Sequence, residues 1–150
     1  MQYQHTQPGW VIRFTCLVCL CIPFGLNLAF NQGRFPLYEM LPVGAIMLAV
    51  VTFFHSLTVR IDSESMRVKF GVGLVAYNFL LKDIQSVEPV RSPWYCGWGI
   101  RKIRGGWLLN VSGFESVEIH LRTGKVYRIG TDDQDGLLAA LKASVTGEVQ

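Results

Sequence analysis

Two runs of 20 residues without a charged side chain, Phe14 to Gly33 and Met40 to Val59, dominate the first third of the chain. Twenty residues of helix rise about 30 Å, the thickness of a bilayer's hydrocarbon core, so each run is a membrane-spanning candidate. The polar segment between them, Arg34-Phe-Pro-Leu-Tyr-Glu39, suits a tight turn at a water interface. The pattern therefore predicts an antiparallel pair of membrane helices, about 11–31 and 39–58, within a membrane region 1–59. Pro23 and Gly25 interrupt the first helix and Pro42 and Gly44 open the second, which is tolerated where a neighbouring helix satisfies the freed backbone. Trp10, Phe35 and Tyr38 stand where interfacial aromatics are expected.

Beyond Thr58 the pattern changes to short alternating segments divided by turn residues, an all-β signature. Met66, Val68 and Phe70 alternate with Arg67 and Lys69, and Val117, Ile119 and Leu121 alternate with Glu118, His120 and Arg122. Seven strands are predicted near Thr58 to Asp62, Met66 to Gly71, Leu74 to Leu80, Ile84 to Val90, Gly106 to Ser112, Glu115 to Leu121 and Lys125 to Gly130. The last element differs. Thr131-Asp-Asp-Gln-Asp135 offers capping oxygens, and Leu137, Leu138, Leu141 and Val145 follow at helical spacing, predicting one C-terminal helix at about 132–145 that caps the sheet. The expected architecture is a membrane α-helical hairpin followed by an all-β domain over 60–150.

Composition agrees with a chain partly dissolved in lipid: 50% of residues are apolar and 17% charged, against about 25% charged in a soluble protein. The net charge of +3 gives nucleic-acid binding no support, since from Arg60 onward twelve Lys or Arg face ten Asp or Glu. Arg13, Arg60, Arg67 and Lys69 flank the outer ends of the two runs and only Arg34 lies between them, so both termini are expected on the cytoplasmic side. The first run lacks a small-x-small cleavage pattern and is read as a retained helix, not a signal peptide. Cys16, Cys19 and Cys21 lie in that run and Cys96 lies far away. Cys16-x-x-Cys19 has metal or redox spacing, but hydrocarbon stabilises a thiolate poorly and no second ligand pair exists, so packing or lipid-facing cysteines are expected.

Several stretches carry a family resemblance: Leu81-Lys-Asp-Ile-Gln-Ser-Val87, Gly97-Trp-Gly-Ile-Arg101, the Asn110-Val-Ser-Gly113 turn, and Gly130-Thr-Asp-Asp-Gln-Asp-Gly136 leading into the helix. Together with seven strands and a closing helix behind a membrane hairpin, they resemble the bacterial pleckstrin-homology-like (PH-like) membrane proteins. The resemblance implies a seven-stranded, strongly bent antiparallel sheet packed as two near-orthogonal halves and plugged by the helix. It also implies a multi-pass protein of the bacterial inner membrane, with an assembly or interaction role. Phosphoinositide binding is not carried over, because Arg60, Arg67 and Lys69 of the first hairpin are diluted by Asp62 and Glu64.

The most distinctive soluble stretch runs from Arg91 to Trp107 and contains no acid. It combines Trp94, Trp98 and Trp107 with Arg91, Arg101, Lys102 and Arg104 and four glycines, and reads as a long loop between strands. Trp and Arg are enriched at binding hot spots, and the same mixture suits an interface where rings enter headgroups and cations meet anionic lipid. The competing reading packs the three tryptophans into the core and leaves the cations solvated. Arg101 is the leading position of the candidate interaction surface. Arg67 and Lys69 are a secondary candidate that also reads as an ordinary polar strand face.

His5, His55 and His120 are scattered without carboxylate or thiol at ligand spacing, and Asp132, Asp133 and Asp135 read as helix-start residues. No metal, cofactor or catalytic site is therefore expected. Three functions compete. The leading one is a non-enzymatic integral membrane protein whose domain binds a protein partner in a membrane complex, a second copy of the chain being one candidate. The next is an anionic-lipid docking module. The last is a small membrane enzyme or transporter using Cys16, Cys19 or Asn27, disfavoured because neither apolar run carries a charge.

Overall fold

The structure, a computed structural model, describes residues 3–30, 38 and 41–146. Strand β1 (Tyr3–Pro8) leads into helix α1 (Trp10–Phe30), and helix α2 (Leu41–Phe54) leads into β2 (Ser56–Ile61). Then follow β3 (Ser65–Phe70), β4 (Val75–Leu80), β5 (Ile84–Arg91), β6 (Gly99–Ile103), β7 (Gly106–Asn110), β8 (Glu115–Leu121), β9 (Val126–Gly130) and helix α3 (Gln134–Thr146). The strands form a four-stranded sheet in the order β1-β2-β3-β4 and a five-stranded sheet in the order β5-β8-β9-β7-β6.

Period-two alternation builds the core. On β2 and β3, Leu57, Val59, Ile61, Met66, Val68 and Phe70 all turn inward, while Arg60, Arg67 and Lys69 turn out to water. The second sheet contributes Leu109, Val117, Ile119 and Ile129, and α3 adds Leu137 and Leu141, both fully buried. Helix α3 rests on β5 and β8 and touches β1. Its first turn is capped by Asp133, whose Oδ1 accepts the Gly136 N–H at 3.1 Å.

Two expectations change. The second apolar run is not one continuous helix: α2 as described is 14 residues long, and α1 is the one described helix long and apolar enough to cross a membrane. Ser56 to Val59, the tail of that run, belongs to β2, where Leu57 and Val59 face the core. Their lack of charge reflects protein burial instead of lipid. Residues 31–37, 39 and 40, which include most of the predicted interhelical turn and Phe35, lie outside the described residues.

The strand count also changes, from seven to nine among the described residues. The seven predicted strands are present with ends shifted by at most two residues, and the additions are β1 and β6. Both are edge strands. One pairing is parallel, β7 beside β9 with Leu108 opposite Arg128, so the second sheet is not wholly antiparallel as the resemblance implied. Gly106 begins this pairing, and a Cβ there would run into the Val126 carbonyl.

The N-terminal strand has a particular consequence for the helices. It pairs along its whole length with β2, from Tyr3 opposite Ile61 to Pro8 opposite Ser56, so the chain that leaves the sheet at Gly9 re-enters it at Ser56. No linker intervenes at either junction. The Gly9 N–H donates to the His55 carbonyl at 2.8 Å, and Arg13 Nη2 donates to the same oxygen at 3.1 Å. A Cβ on Gly9 would lie 2.5 Å from the Phe54 carbonyl oxygen, and one on Gly71 would lie 2.5 Å from that of Phe53. Two glycine notches thus seat the helix feet on the sheet.

Strand β1 is also tied to the second layer by side chains. Tyr3 Oη donates to Asp133 Oδ2 at 2.9 Å, His5 Nε2 meets Asp132 Oδ1 at 2.6 Å, and Gln7 Nε2 donates to the Ser112 carbonyl at 2.8 Å. The aspartates predicted as a helix-start cluster therefore divide their roles: Asp133 caps α3 and anchors Tyr3, and Asp132 anchors His5. Burial, followed by the hydrogen bond and charge of Asp133, holds the Tyr3 phenol protonated well above the usual tyrosine range.

Candidate functional site: an aromatic–basic edge beside the helix pair

The segment Arg91–Trp107 is not one long loop. A single 3-10 turn, Trp94–Cys96, follows β5, and the chain then runs out along β6 and back along β7. The β6–β7 reversal takes two residues, Arg104 and Gly105, with Gly105 at φ +90°. This hairpin places Arg101 and Lys102 on the sheet's outermost strand, Arg101 opposite Leu108 and Lys102 opposite Trp107.

None of the three tryptophans is a core residue. Trp94 is 77% exposed and its neighbour Tyr95 70%, the two rings meeting edge to face, and Trp107 is 41% exposed on β7. Trp98 is half-buried. Its indole N–H donates to the Gly113 carbonyl at 3.2 Å and its ring lies against Phe114, while Asn110 Nδ2 donates to the same carbonyl. Trp98 therefore fastens the start of β6 to the β7–β8 turn.

Arg91, Arg101, Lys102 and Arg104 are exposed and make no ion pair among the described residues. Together with Arg128 they line an open cleft of about 620 Å³ whose wall contains no acidic side chain. Arg128 is itself held by Glu118, which also meets His120. Glu115 stands opposite Arg91 in register but forms no ion pair with it. Four cations without a carboxylate partner make the cleft electropositive.

A second cavity, about 500 Å³, lies between this edge and the helix pair. Its helix side is formed by Ile12, Cys16 and Cys19 of α1 and by Met47, Val50 and Phe54 of α2, and its sheet side by Trp98, Gly99, Ile100 and Arg101. Cys16 is buried here, while Cys19 and Cys21 are exposed, and all four cysteines are free thiols. Arg101 borders both cavities. Its Nε donates to the Trp98 carbonyl at 3.3 Å, and the guanidinium lies over Gly97, where a Cβ would approach its carbon to 3.1 Å.

Thus the structure gathers Arg91, Arg101, Lys102 and Arg104 at one cleft, while Trp94 lies between two of its lining residues, Pro93 and Tyr95, and Trp98 lines the neighbouring cavity. Arg67 and Lys69 point outward from β3 in the other sheet and line neither cavity. Sequence reasoning missed Tyr95 and Arg128 in the cleft and the whole helix-side wall. Tyr95 was legible, since it sits inside the singled-out segment. That Cys16 and Met47 line one cavity with a strand some fifty to eighty residues away leaves no local signal.

Other chemistry is sparse. Among the described residues no group of three His, Cys, Asp or Glu side chains lies close enough to hold a metal ion. The chain matches no known family model and no curated protein.

Proposed function

We propose that this chain is a non-enzymatic integral membrane protein in which a two-pass helical hairpin holds a PH-like β-domain against one face of a bilayer, and that the domain binds a membrane protein partner through the Trp94–Tyr95 corner. The observation that carries the reading is the pairing of β1 with β2 around the helices. Pro8 opposite Ser56 keeps both helix feet on one side of the sheet, so a chain that crosses along α1 has to return before Ser56. The 21 residues of α1 rise roughly 31 Å, enough for a hydrocarbon core. Of its side chains only Cys16 is buried, and an apolar surface of this extent suits lipid instead of water.

The foot of the hairpin supports an interfacial plane. Trp10 and Arg13 are exposed at the start of α1, and the β3–β4 turn touching the end of α2 through Gly71 exposes Val72 and Leu74. Apolar tips and a cation at helix ends are the residues that settle at headgroup depth. The excess of Arg13, Arg60, Arg67 and Lys69 over Arg34 favours the cytoplasmic side for both termini, and the resemblance to bacterial PH-like proteins favours an inner membrane. That resemblance is supported by two packed sheets closed by one C-terminal helix, with the parallel β7–β9 pairing as a departure from it.

A binding role is favoured by the two cavities that meet at Arg101, whose linings are cations, thiols and mostly apolar groups without a carboxylate or imidazole. Exposed Trp94 and Tyr95 beside Arg91 have the composition of a protein hot spot. The test is a photo-reactive residue at Tyr95 in native membranes, followed by mass spectrometry. A reproducible membrane-protein adduct is expected, and an adduct between two copies of this chain would make the partner itself. Lipid adducts alone would overturn the protein-partner reading.

A further inference from the structure

The two cavities that share Arg101 differ in chemistry as the two ends of a phospholipid do. One is open, cationic and free of acids. The other is apolar and runs beside the first turns of α1 and the last turns of α2. Each volume lies within the range of small-ligand pockets. Arg101 joins the two.

Arg101 is held for such a ligand. Its Nε is committed to the Trp98 carbonyl, and its Nη1 and Nη2 have no hydrogen-bond partner among the described residues. A guanidinium fixed through Nε presents two parallel N–H groups, the fork that matches a phosphate bidentately. Gly97, at φ +66°, leaves room for the guanidinium, since a Cβ there would press on its carbon at 3.1 Å. Lys102, Arg104 and Arg91 surround the same cleft with further positive charge.

We propose that this composite pocket binds one anionic phospholipid from the adjoining leaflet, its phosphate on the Arg101 fork and one acyl chain in the cavity lined by Cys16, Met47, Val50 and Ile100. The proposal rests on the membrane-anchored reading above but not on the protein partner. Charge complementarity selects an anionic headgroup, and continuity of the apolar wall with the helix pair selects a lipid instead of a free phosphate. The bound lipid would lock the β6 edge against the helices.

The test uses the full chain purified in neutral detergent, with native mass spectrometry after addition of phosphatidylglycerol or phosphatidylcholine. A one-to-one phosphatidylglycerol adduct is expected, with phosphatidylcholine binding weaker. Arg101→Ala should weaken the adduct about tenfold or more, the scale of a lost charge-assisted pair, and Arg101→Lys should restore part of it. Met47→Trp, which fills the apolar cavity without changing charge, should also abolish it. The Arg67→Ala/Lys69→Ala variant removes two cations from the other sheet and should leave it intact.

Equal adducts with both lipids, an unchanged adduct in Arg101→Ala, or equal loss in the Arg67/Lys69 variant would overturn the site. Displacement by inorganic phosphate with no effect of Met47→Trp would reduce it to a headgroup-only contact, and so would also overturn it. If Arg101→Ala fails to fold, Arg101→Lys and Met47→Trp decide. Alkaline extraction of the wild-type chain from membranes tests the underlying membrane reading separately: a chain released by carbonate fails that reading, whereas a retained chain without the adduct fails only the lipid site.

Discussion

Replacing Gly71 by alanine should loosen the hairpin's seat on the sheet, and the cost can be worked from the structure. Gly71 has φ +47°, a left-handed conformation that disfavours any Cβ by roughly 1–2 kcal/mol. The added methyl would also lie 2.5 Å from the Phe53 carbonyl oxygen at the end of α2. That neighbour is backbone, so relief requires α2 and the β3–β4 turn to separate by most of an ångström, an overpacking cost of about 1–3 kcal/mol. Gly73 supplies the control. It has φ +89°, but a Cβ there meets nothing closer than Lys69 Cδ at 3.7 Å, so Gly73→Ala carries the conformational cost alone. Gly71→Ala should therefore be the more destabilising by about 1–3 kcal/mol, or roughly 2–4 °C in thermal midpoint per kcal/mol for a chain of this size. The assay is thermal unfolding of the two full-length variants in the same detergent. Equal midpoints would refute the notch.

Other consequences follow from the same contacts. The Tyr3 phenol is shifted upward in the folded chain from its ordinary value of 10.0, so its contribution is fully present below that value and is lost as pH rises above it. Unfolding midpoints measured between about pH 9 and pH 11 should fall more steeply for the wild type than for Tyr3→Phe; parallel curves would contradict the assignment. Leu141→Ala empties a fully buried position beneath α3 and should cost about 2–5 kcal/mol in denaturant unfolding, whereas a cost below 1 kcal/mol would mean that α3 does not plug the core. Asp133→Ala removes both the α3 cap and the Tyr3 acceptor. Its cost should exceed the roughly 1 kcal/mol of a cap alone, and a double-mutant cycle with Tyr3→Phe should show coupling.

Much of the β-domain was legible because its strands alternate cleanly. Leu57 to Ile61 and Met66 to Phe70 carry period-two patterns that survive into the core unchanged. What stayed hidden was set by long-range pairing. Tyr3-Gln-His-Thr-Gln-Pro8 shows no apolar alternation, and it is a strand because β2 lies beside it and because Asp132, Asp133 and Ser112 receive its side chains. No local window contains those partners. The length of the second apolar helix was misjudged for a related reason: a charge-free run does not distinguish lipid from protein interior, and Leu57 and Val59 belong to the latter. At the candidate site, the basic and aromatic residues were evident from composition, but the tryptophans' exposure was not. Gly97, Gly99 and Gly105, all at positive φ, bend the segment into a turn and an edge hairpin that carries Trp94 and Trp107 outward.

On the proposed hairpin, both junctions between sheet and helices, at Gly9 and at His55, lie on one side of a membrane. Single cysteines placed at Gln4, Tyr38 and Lys125, in a chain whose native cysteines are serine, can be labelled with a membrane-impermeant maleimide in sealed vesicles of known orientation. Gln4 and Lys125 should react from the same side and Tyr38 only from the opposite one. Labelling of Tyr38 from the same side as Gln4, or of Gln4 and Lys125 from opposite sides, would contradict it.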